Sequence, residues 1–368
     1  EFGKTGHLSS RVIFGGAAVS KGGKSLLQAK KLHRFFDYTV IGEAETSLLQ
    51  LLGALEGRCP VTDVPNLLYR SGKHFSLTYF DDRYKLGDIR TPVYIEPRPK
   101  AIIDIQTSEN CYWGQCSFCD RGTRFGKTYN AVSYAERSLD TVIRDLKKLQ
   151  KKHKPLYFRL TDHTVSPERL QALAAYNREH DLGMRFFAYI RAEKFFLSPD
   201  VCSTLAQGGI IAVALGLESG EQTINDRYRK GVDITDVADV LRNFSRAGVL
   251  THLFTMIDFP HETEAQTKKT LAFIEENQEW IDSVSVFSFA LFHNTEVFAH
   301  ATQFGIKNVR PVKGLNLNRF YRYGTDTERQ HTKTKRITDI LKKYSPNKNV
   351  IFFKALQKRD GYRDADVV

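Results

Sequence analysis

Residues 107–120 have the sequence TSENCYWGQCSFCD, which places Cys111, Cys116 and Cys119 within nine positions. The stretch follows a predicted strand at residues 101–107, and its glycine and polar residues indicate a loop. Three thiolates in one short loop can bind three irons of a 4Fe–4S cube and leave the fourth iron open to an exogenous ligand. The sequence therefore predicts a metal centre at these three cysteines.

Zinc binding, a ferredoxin-type cluster and inert burial account less well for the three cysteines. A structural zinc site needs a fourth Cys or His at finger-like spacing, and none follows closely. A plant-type ferredoxin shares the opening spacing but needs a fourth cysteine, for which only Cys59 or Cys202 could serve, and Cys202 falls early in a predicted helix. Inert buried cysteines are disfavoured because the loop is polar. Five cysteines in 368 residues do not make a disulfide scaffold either.

Outward from this loop, apolar runs alternate with helical stretches. Ser166-Pro167-Glu168 and Ser198-Pro199 are helix starts, since a capping hydroxyl precedes a proline in the first turn. Right-handed crossovers would wind the series into a parallel, partial (β/α)6 barrel, an α/β fold. The predicted strands are residues 101–107, 156–160, 184–190, 210–217, 250–259 and 284–290, and the predicted helices include 133–153, 236–247 and 262–280.

The first hundred residues have a different pattern. Two short predicted strands, 11–14 and 38–41, are each followed by glycine, and a β-rich piece covers residues 67–80. This pattern is typical of the second half of a doubly wound α/β domain. We therefore predict a partial doubly wound domain at 1–80, a proline-punctuated linker at 81–100, the barrel at 101–305 and a basic, aromatic C-terminal extension at 306–368, with a helix near 332–344.

The composition is that of an ordinary globular protein, with 41% hydrophobic and 26% charged residues. No apolar run is long enough to span a bilayer and the first residues are no signal peptide, so we expect a cytoplasmic protein without a membrane partner. The formal charge of +12 suggests an anionic partner, but the basic residues are scattered, and a solvated face accounts for them more simply.

The stretch 101–305 resembles the radical S-adenosylmethionine (radical SAM) superfamily, in the branch that often carries an N-terminal cobalamin-binding domain. The segment from Cys111 to Cys119 is similar to that family's cluster loop, with Phe118 at the aromatic position before the third cysteine. Four residues separate the first two cysteines instead of the commonest three, a variation that some members of the branch share. The resemblance implies that the three cysteines bind a 4Fe–4S cluster.

Further landmarks of the family occur in order. Asp162 ends the second strand, where the family places polar residues near S-adenosylmethionine, and Arg191 ends the third, where a basic residue commonly faces the carboxylate of this cofactor. Gly216, Glu218 and Ser219 belong to a Gly-x-Glu-Ser-Gly turn that borders the cofactor in the family; taken alone, it could equally be a plain strand-to-helix turn. Asn110, Tyr112 and Trp113 are placed to surround the cluster.

One landmark departs from the family pattern. After the fifth strand the family tends to have Gly-Phe-Pro-Gly-Glu-Thr, whereas this chain has Asp258 and His261 in place of the two glycines. They are either substrate-facing groups, and hence candidate catalytic residues, or a local hydrogen-bonded pair. Residues 12–16 and 40–45 resemble the end of a cobalamin-binding domain whose earlier half is absent, so cobalamin binding stays open.

The resemblance implies an enzyme whose reduced cluster cleaves S-adenosylmethionine to methionine and a 5′-deoxyadenosyl radical, which abstracts hydrogen from a peptide or small metabolite, one that could be anionic. With cobalamin, methyl transfer is the leading outcome; without it, epimerisation, cross-linking or another rearrangement would follow. An external one-electron reductant of flavodoxin or ferredoxin type is implied.

Three rival functions remain open. Methylthiolation of tRNA would suit the basic charge, but no second cysteine triad or C-terminal RNA-binding barrel is recognisable, so we do not expect a nucleic acid partner. An iron–sulfur electron-transfer protein would not need Arg191 or the turn at Gly216. A catalytically inactive peptide-binding barrel would not need all three cysteines.

Overall fold

The structure is a computed structural model that describes residues 11–15, 36–42, 44–72, 74–79, 81, 92–94, 102–120, 134–154, 157–311 and 320–324. Within these ranges, no helix combines the length and the apolar character needed to cross a membrane.

The N-terminal part contains a four-stranded sheet and one helix. Strands β1 (Ile13–Phe14) and β2 (Tyr38–Val40) are parallel, and β3 (Leu67–Ser71) and β4 (His74–Leu77) continue the sheet in antiparallel fashion. Helix α1 (Glu45–Leu55) buries Leu51 against the sheet, beside Val40 and Leu67. The parallel β1–β2 pair agrees with the predicted strands, and the β-rich piece is the β3–β4 hairpin.

The main sheet contains six parallel strands, which are β5 (Ile103–Ile105), β8 (Tyr157–Leu160), β9 (Arg185–Ile190), β10 (Ile210–Glu218), β11 (Leu250–Ile257) and β12 (Ser283–Ser288). Their order across the sheet is β12-β11-β10-β9-β8-β5. Each strand thus lies beside the one that precedes it in this series, and right-handed crossovers place the intervening helices on one face. The short strands β6 (Ser108–Glu109) and β7 (Ala135–Glu136) pair with each other beside this sheet.

Side-chain caps begin the helices between these strands. The hydroxyls of Ser166 and Ser198 accept hydrogen bonds from the backbone N–H three residues on, and proline occupies the first turn, so both predicted helix starts are confirmed. The helices are α2 (Leu139–His153), α3 (Pro167–Glu179), α4 (Pro199–Gln207), α5 (Gln222–Arg227), α6 (Ile234–Arg246) and α7 (Glu264–Glu276). The basic residues at 151–153 lie in the last turn of α2, where cations are favourable.

The largest core lies between the sheet and its helices. Alternate strand residues such as Phe186, Val213 and Leu253 face this core, together with Val240 and Phe244 of α6. A second apolar cluster, around Tyr228, Phe259 and Phe289, lies beneath the cysteine loop. It also contains residues of α8 (Glu296–Ala299) and of a three-stranded antiparallel sheet formed by β13 (Leu291–Phe292), β14 (Lys307–Pro311) and β15 (Phe320–Gly324).

The predicted fold class is confirmed: the protein is α/β, with a parallel sheet of six strands and helices between them. Some predicted boundaries were wrong by several residues. The helix expected at 262–280 ends at Glu276 and a separate 3-10 turn follows at Gln278–Trp280. The helix expected from residue 133 begins at Leu139 because Ser138 caps it. Most of the proposed linker and the helix expected near 332–344 lie outside the described residues.

Candidate active site

The cysteine loop leaves the carboxyl end of β5, the edge of the sheet where barrel enzymes build their active sites. Cys111, Cys116 and Cys119 are partly buried. The N–H of Cys119 donates to the carbonyl of Cys116 at 3.1 Å, and Gly114 turns the chain with a φ of +61°. The predicted loop is thus a short, internally hydrogen-bonded turn.

The donor set of this loop fits an iron–sulfur cluster. Nowhere in the described residues are three His, Cys, Asp or Glu side chains gathered closely enough to hold a single metal ion. Ligands of a cubane cluster bind separate irons, so their sulfurs need not converge on one point. Burial raises the pKa of the Cys116 thiol, whereas the positive charges of Lys230 and Arg191 lower it. Two cations thus lie where thiolates and a cluster would bring negative charge.

A segment at residues 228–231 holds the cysteine loop in place. The N–H of Ser117 donates to the carbonyl of Tyr228 at 3.0 Å, and the indole N–H of Trp113 donates to the carbonyl of Arg229 at 2.9 Å. The ring of Trp113 also covers Gly231, where a Cβ atom would overlap it. The loop is therefore attached, by contacts more than a hundred residues apart in sequence, to the turn that follows α5.

Asp162 anchors the start of the loop. Its Oδ1 accepts hydrogen bonds from the backbone N–H and the hydroxyl of both Thr107 and Ser108, with distances of 3.0 Å to Thr107 N and 2.5 Å to Ser108 Oγ. Burial raises the pKa of this carboxyl, and the hydrogen bonds oppose that rise. Oδ2 is buried and has no hydrogen-bond partner among the described residues. The carboxylate joins the end of β8 to the strand that leads into the cysteine loop.

Arg191 is buried and already engaged by protein groups. Its Nε donates to Glu193 at 2.9 Å, and its Nη2 donates to the carbonyls of Lys230 and Gly231 at 2.7 and 3.1 Å. The guanidinium also lies over the ring of Trp113, 4.6 Å from its centroid. Arg191 therefore links the 228–231 segment to Trp113 in this structure. Its expected contact with the carboxylate of S-adenosylmethionine stays a prediction.

Gly216 and Glu218 end β10 beside a lysine. Lys230 Nζ donates to Glu218 Oε1 at 2.6 Å, and both side chains are mostly buried. A Cβ atom on Gly216 would overlap both of these charged ends, so any larger residue here would displace the ends of both side chains. Glu218 has a φ of +62°, which is uncommon for a residue with a side chain. The structure therefore brings together three of the site features: the cysteine loop, Gly216 and Glu218.

Ser219 and Phe118 have structural partners. The Ser219 hydroxyl accepts from the N–H of Glu221 and lies 3.4 Å from the hydroxyl of Thr270 on α7, so it caps the following turn and packs against that helix. The ring of Phe118 lies 6.3 Å from that of Tyr228 and 6.0 Å from that of Phe259, within the second apolar cluster. Their expected contacts with S-adenosylmethionine stay predictions.

Asp258 and His261 both have a φ of +65°, the region that glycine adopts freely. The Asp258 carboxylate accepts from Ser288 Oγ of β12 at 2.9 Å. The ring of His261 instead packs on Gly305, where a Cβ atom would overlap it. Asp258 thus contacts β12, whereas His261 contacts Gly305. Asp258 lies at the carboxyl edge of the sheet, so it remains the better candidate for a substrate-facing group.

Residues 105–274 match the family model of the radical SAM superfamily. The chain carries a radical SAM domain. No curated protein matches the sequence. The fold also recurs in solved structures, and three of these are 14–18% identical to this chain.

Three of those structures are informative. The radical S-adenosylmethionine methyltransferase TsrM from Kitasatospora setae, with cobalamin and a 4Fe–4S cluster bound, has a TM-score of 0.65 at 16% identity, over 90% of this chain and 72% of that one. TsrM with tryptophan substrate and a SAM analogue bound has a TM-score of 0.60 at 18% identity, over 83% of this chain and 61% of that one. The cobalamin-dependent S-adenosylmethionine radical enzyme OxsB, with aqua-cobalamin and S-adenosylmethionine bound, has a TM-score of 0.69 at 14% identity, over 91% of this chain and 54% of that one. The chain thus spans between about half and three quarters of these proteins.

Radical SAM domains are enzymes that use a 4Fe–4S cluster and S-adenosylmethionine, so the expected enzyme class and these two cofactors are confirmed.

Sequence reasoning missed Lys230. The only signal was a lysine before a glycine in the turn after α5, and such a pair at a helix end is ordinary. The contact with Glu218 depends on how that turn folds back over β10.

Proposed function

We propose that this radical SAM enzyme binds its cluster at Cys111, Cys116 and Cys119 and acts on a peptide or small-molecule substrate at the carboxyl edge of the parallel sheet. The observation that carries the proposal is the position of the loop: it leaves β5 at that edge, and Lys230 and Arg191 lie beside Cys116. When bound, the cluster and S-adenosylmethionine would supply a 5′-deoxyadenosyl radical for hydrogen abstraction.

The residues of this chain have distinct roles in the proposal. Arg191 and the 228–231 segment keep the cysteine loop in one conformation. Lys230 offsets negative charge at Cys116 and at Glu218, which would border S-adenosylmethionine. Asp258, at the same edge, would face the substrate. An external one-electron donor of flavodoxin or ferredoxin type would reduce the site.

We further propose methyl transfer with cobalamin as the reaction. Support comes from the structural likeness to TsrM and OxsB, both described with cobalamin, and from the parallel β1–β2 pair before the barrel. A second candidate is a rearrangement or epimerisation without cobalamin. It is favoured by the antiparallel β3–β4 hairpin, since a doubly wound domain would continue its sheet with parallel strands.

The test is anaerobic reconstitution with iron and sulfide, followed by addition of S-adenosylmethionine and dithionite and measurement of 5′-deoxyadenosine. We expect product from the wild type and from Cys59→Ala, which lies outside the loop, and none from Cys116→Ala. Binding of zinc without any iron–sulfur cluster would contradict the proposal. Repeating the assay with hydroxocobalamin, and measuring cobalamin retained on the protein, separates the two candidate reactions.

A further inference from the structure

The face of the main sheet opposite the helices has a floor of small side chains. On the central strand β10, Ala212, Ala214 and Gly216 project to this face, because side chains alternate along a strand. Aromatic and other apolar side chains of the neighbouring strands fold over them, so that Ala212 and Ala214 are almost fully buried. These neighbours are Phe187, Tyr189, Leu250 and Phe254.

Three rings on this face form what we call the aromatic row: Tyr189 of β9, Phe254 of β11 and Phe287 of β12. The Tyr189 and Phe254 centroids are 6.2 Å apart with planes 21° from parallel, and those of Phe254 and Phe287 are 6.3 Å apart at 26°. The small side chains of β10 allow rings from β9 and β11 to meet across it. The row thus crosses four strands.

The aromatic row is accessible. Phe287 is 53% exposed, and Tyr189 and Phe254 are partly exposed. Burial of such rings is worth roughly 25 cal/mol for each Å² removed from water, so an exposed row is a surface suited to a ligand. Phe254 of β11 pairs with Gly216 of β10 in the strand register, and Glu218 lies two residues further along β10. The row therefore continues directly into the candidate active site.

The charges that border the row are compensated. On the same face, toward the β5 edge of the sheet, Arg159 donates to both carboxylate oxygens of Asp104, at 2.7 and 2.6 Å. His252 lies edge-on to Phe254, with centroids 4.5 Å apart, and its Nδ1 is 2.5 Å from Ser283 Oγ. Burial lowers the pKa of His252 to about 4, so its ring is neutral near pH 7. An uncharged group is therefore the complement of this face.

We propose that the aromatic row binds the substrate through an uncharged aromatic ring, and so holds it below the active-site edge of the sheet. The inference rests on the proposed function, because it names the substrate class of the same site. Stacked or edge-on ring contacts contribute about 0.5–1.5 kcal/mol beyond the area buried, which makes an aromatic ring a better ligand here than an aliphatic group of similar size.

The test is equilibrium dialysis of the anaerobically reconstituted protein against two probes, N-acetyl-L-tryptophanamide and N-acetyl-L-leucinamide. We expect the tryptophan probe to bind about tenfold more tightly than the leucine probe. Phe254→Leu and Phe287→Leu should each weaken the tryptophan probe by about the same factor and leave the leucine probe unchanged. Tyr176→Leu is the control and should change neither value, because this ring lies on α3 and contacts Lys147 and His180, not the aromatic row.

Equal affinity for the two probes, no binding of either, or an unchanged affinity in Phe254→Leu would overturn the inference. L-Tryptophan as a third probe separates the sources of the ring: tighter binding than the amide indicates a free amino acid, and weaker binding indicates a residue within a peptide. The proposed function is judged separately, by 5′-deoxyadenosine formed without any substrate, so the substrate inference can fail while radical cleavage is retained.

Discussion

Lys230 Nζ lies 2.6 Å from Glu218 Oε1, and the two side chains are only 8% and 14% exposed. Both also act on Cys116, since the lysine lowers the pKa of its thiol and the glutamate raises it. An ion pair with so little contact with water depends on both partners, because either charge left alone would be poorly solvated. The pair is therefore part of the structure that surrounds the cysteine loop.

Replacing Lys230 with Met should lower the free energy of unfolding by about 3 kcal/mol, because Glu218 is left as an unpaired buried carboxylate. The double variant Lys230→Met/Glu218→Gln should recover much of this loss, since the uncompensated charge is gone. Denaturation of the two variants and of Glu218→Gln completes a double-mutant cycle. Equal losses in Lys230→Met and in the double variant would show that the pair is not coupled.

Gly231→Ala should reduce the amount of cluster that the protein binds. A Cβ atom at Gly231 would overlap the ring of Trp113, which belongs to the cysteine loop. Gly183→Ala is the matched control: its φ of +64° is close to the +66° of Gly231, but a Cβ atom there meets no atom of the described residues within 4 Å. Both variants should lose about 1 kcal/mol of stability from the backbone conformation.

Iron and labile sulfide per protein after reconstitution distinguish these two glycine variants. We expect a content close to that of the wild type in Gly183→Ala and clearly less in Gly231→Ala. Identical contents in the two variants would mean that the position of Trp113 does not matter for cluster binding.

Asp162→Ala should destabilise the protein by about 3 kcal/mol, because four donors of Thr107 and Ser108 lose their acceptor. Asp162→Asn keeps an acceptor oxygen of the same shape, so it should cost less than half as much. The melting temperatures of the reconstituted variants measure the difference. If Asn and Ala were equally destabilising, the carboxylate charge, not its hydrogen bonds, would hold the start of the loop.

Stability should fall as the pH drops below about 6.5, partly through His252. Burial lowers the pKa of this residue from 6.5 to about 4, so between these values the unfolded chain binds a proton that the folded protein does not. The stability that the neutral ring contributes is fully present well above pH 6.5, and about 2 kcal/mol of it is lost between pH 7.5 and pH 5. His252→Gln, which can still hydrogen-bond to Ser283, should lose less stability than the wild type between pH 7.5 and pH 5. A parallel loss in both proteins would refute the assignment.

Several features followed from the sequence because they depend on neighbouring residues. The Ser166 and Ser198 helix starts were predicted, since a hydroxyl cap and a proline act within one turn. The same is true of the cysteine loop, whose three thiols lie within nine residues. The order of the six parallel strands also followed, because short right-handed crossovers leave few alternatives.

Only the tertiary structure showed what holds the site together. The Trp113 contact with Arg229 joins residues 116 positions apart, and Arg191 reaches Gly231 across 40 positions. Such contacts depend on strand register and on how the turn after α5 packs, neither of which a local pattern encodes. The sequence therefore determined the presence of the cysteine loop and the barrel, whereas packing decided that Lys230 would lie beside Glu218 and that Asp258 and His261 would reach different elements.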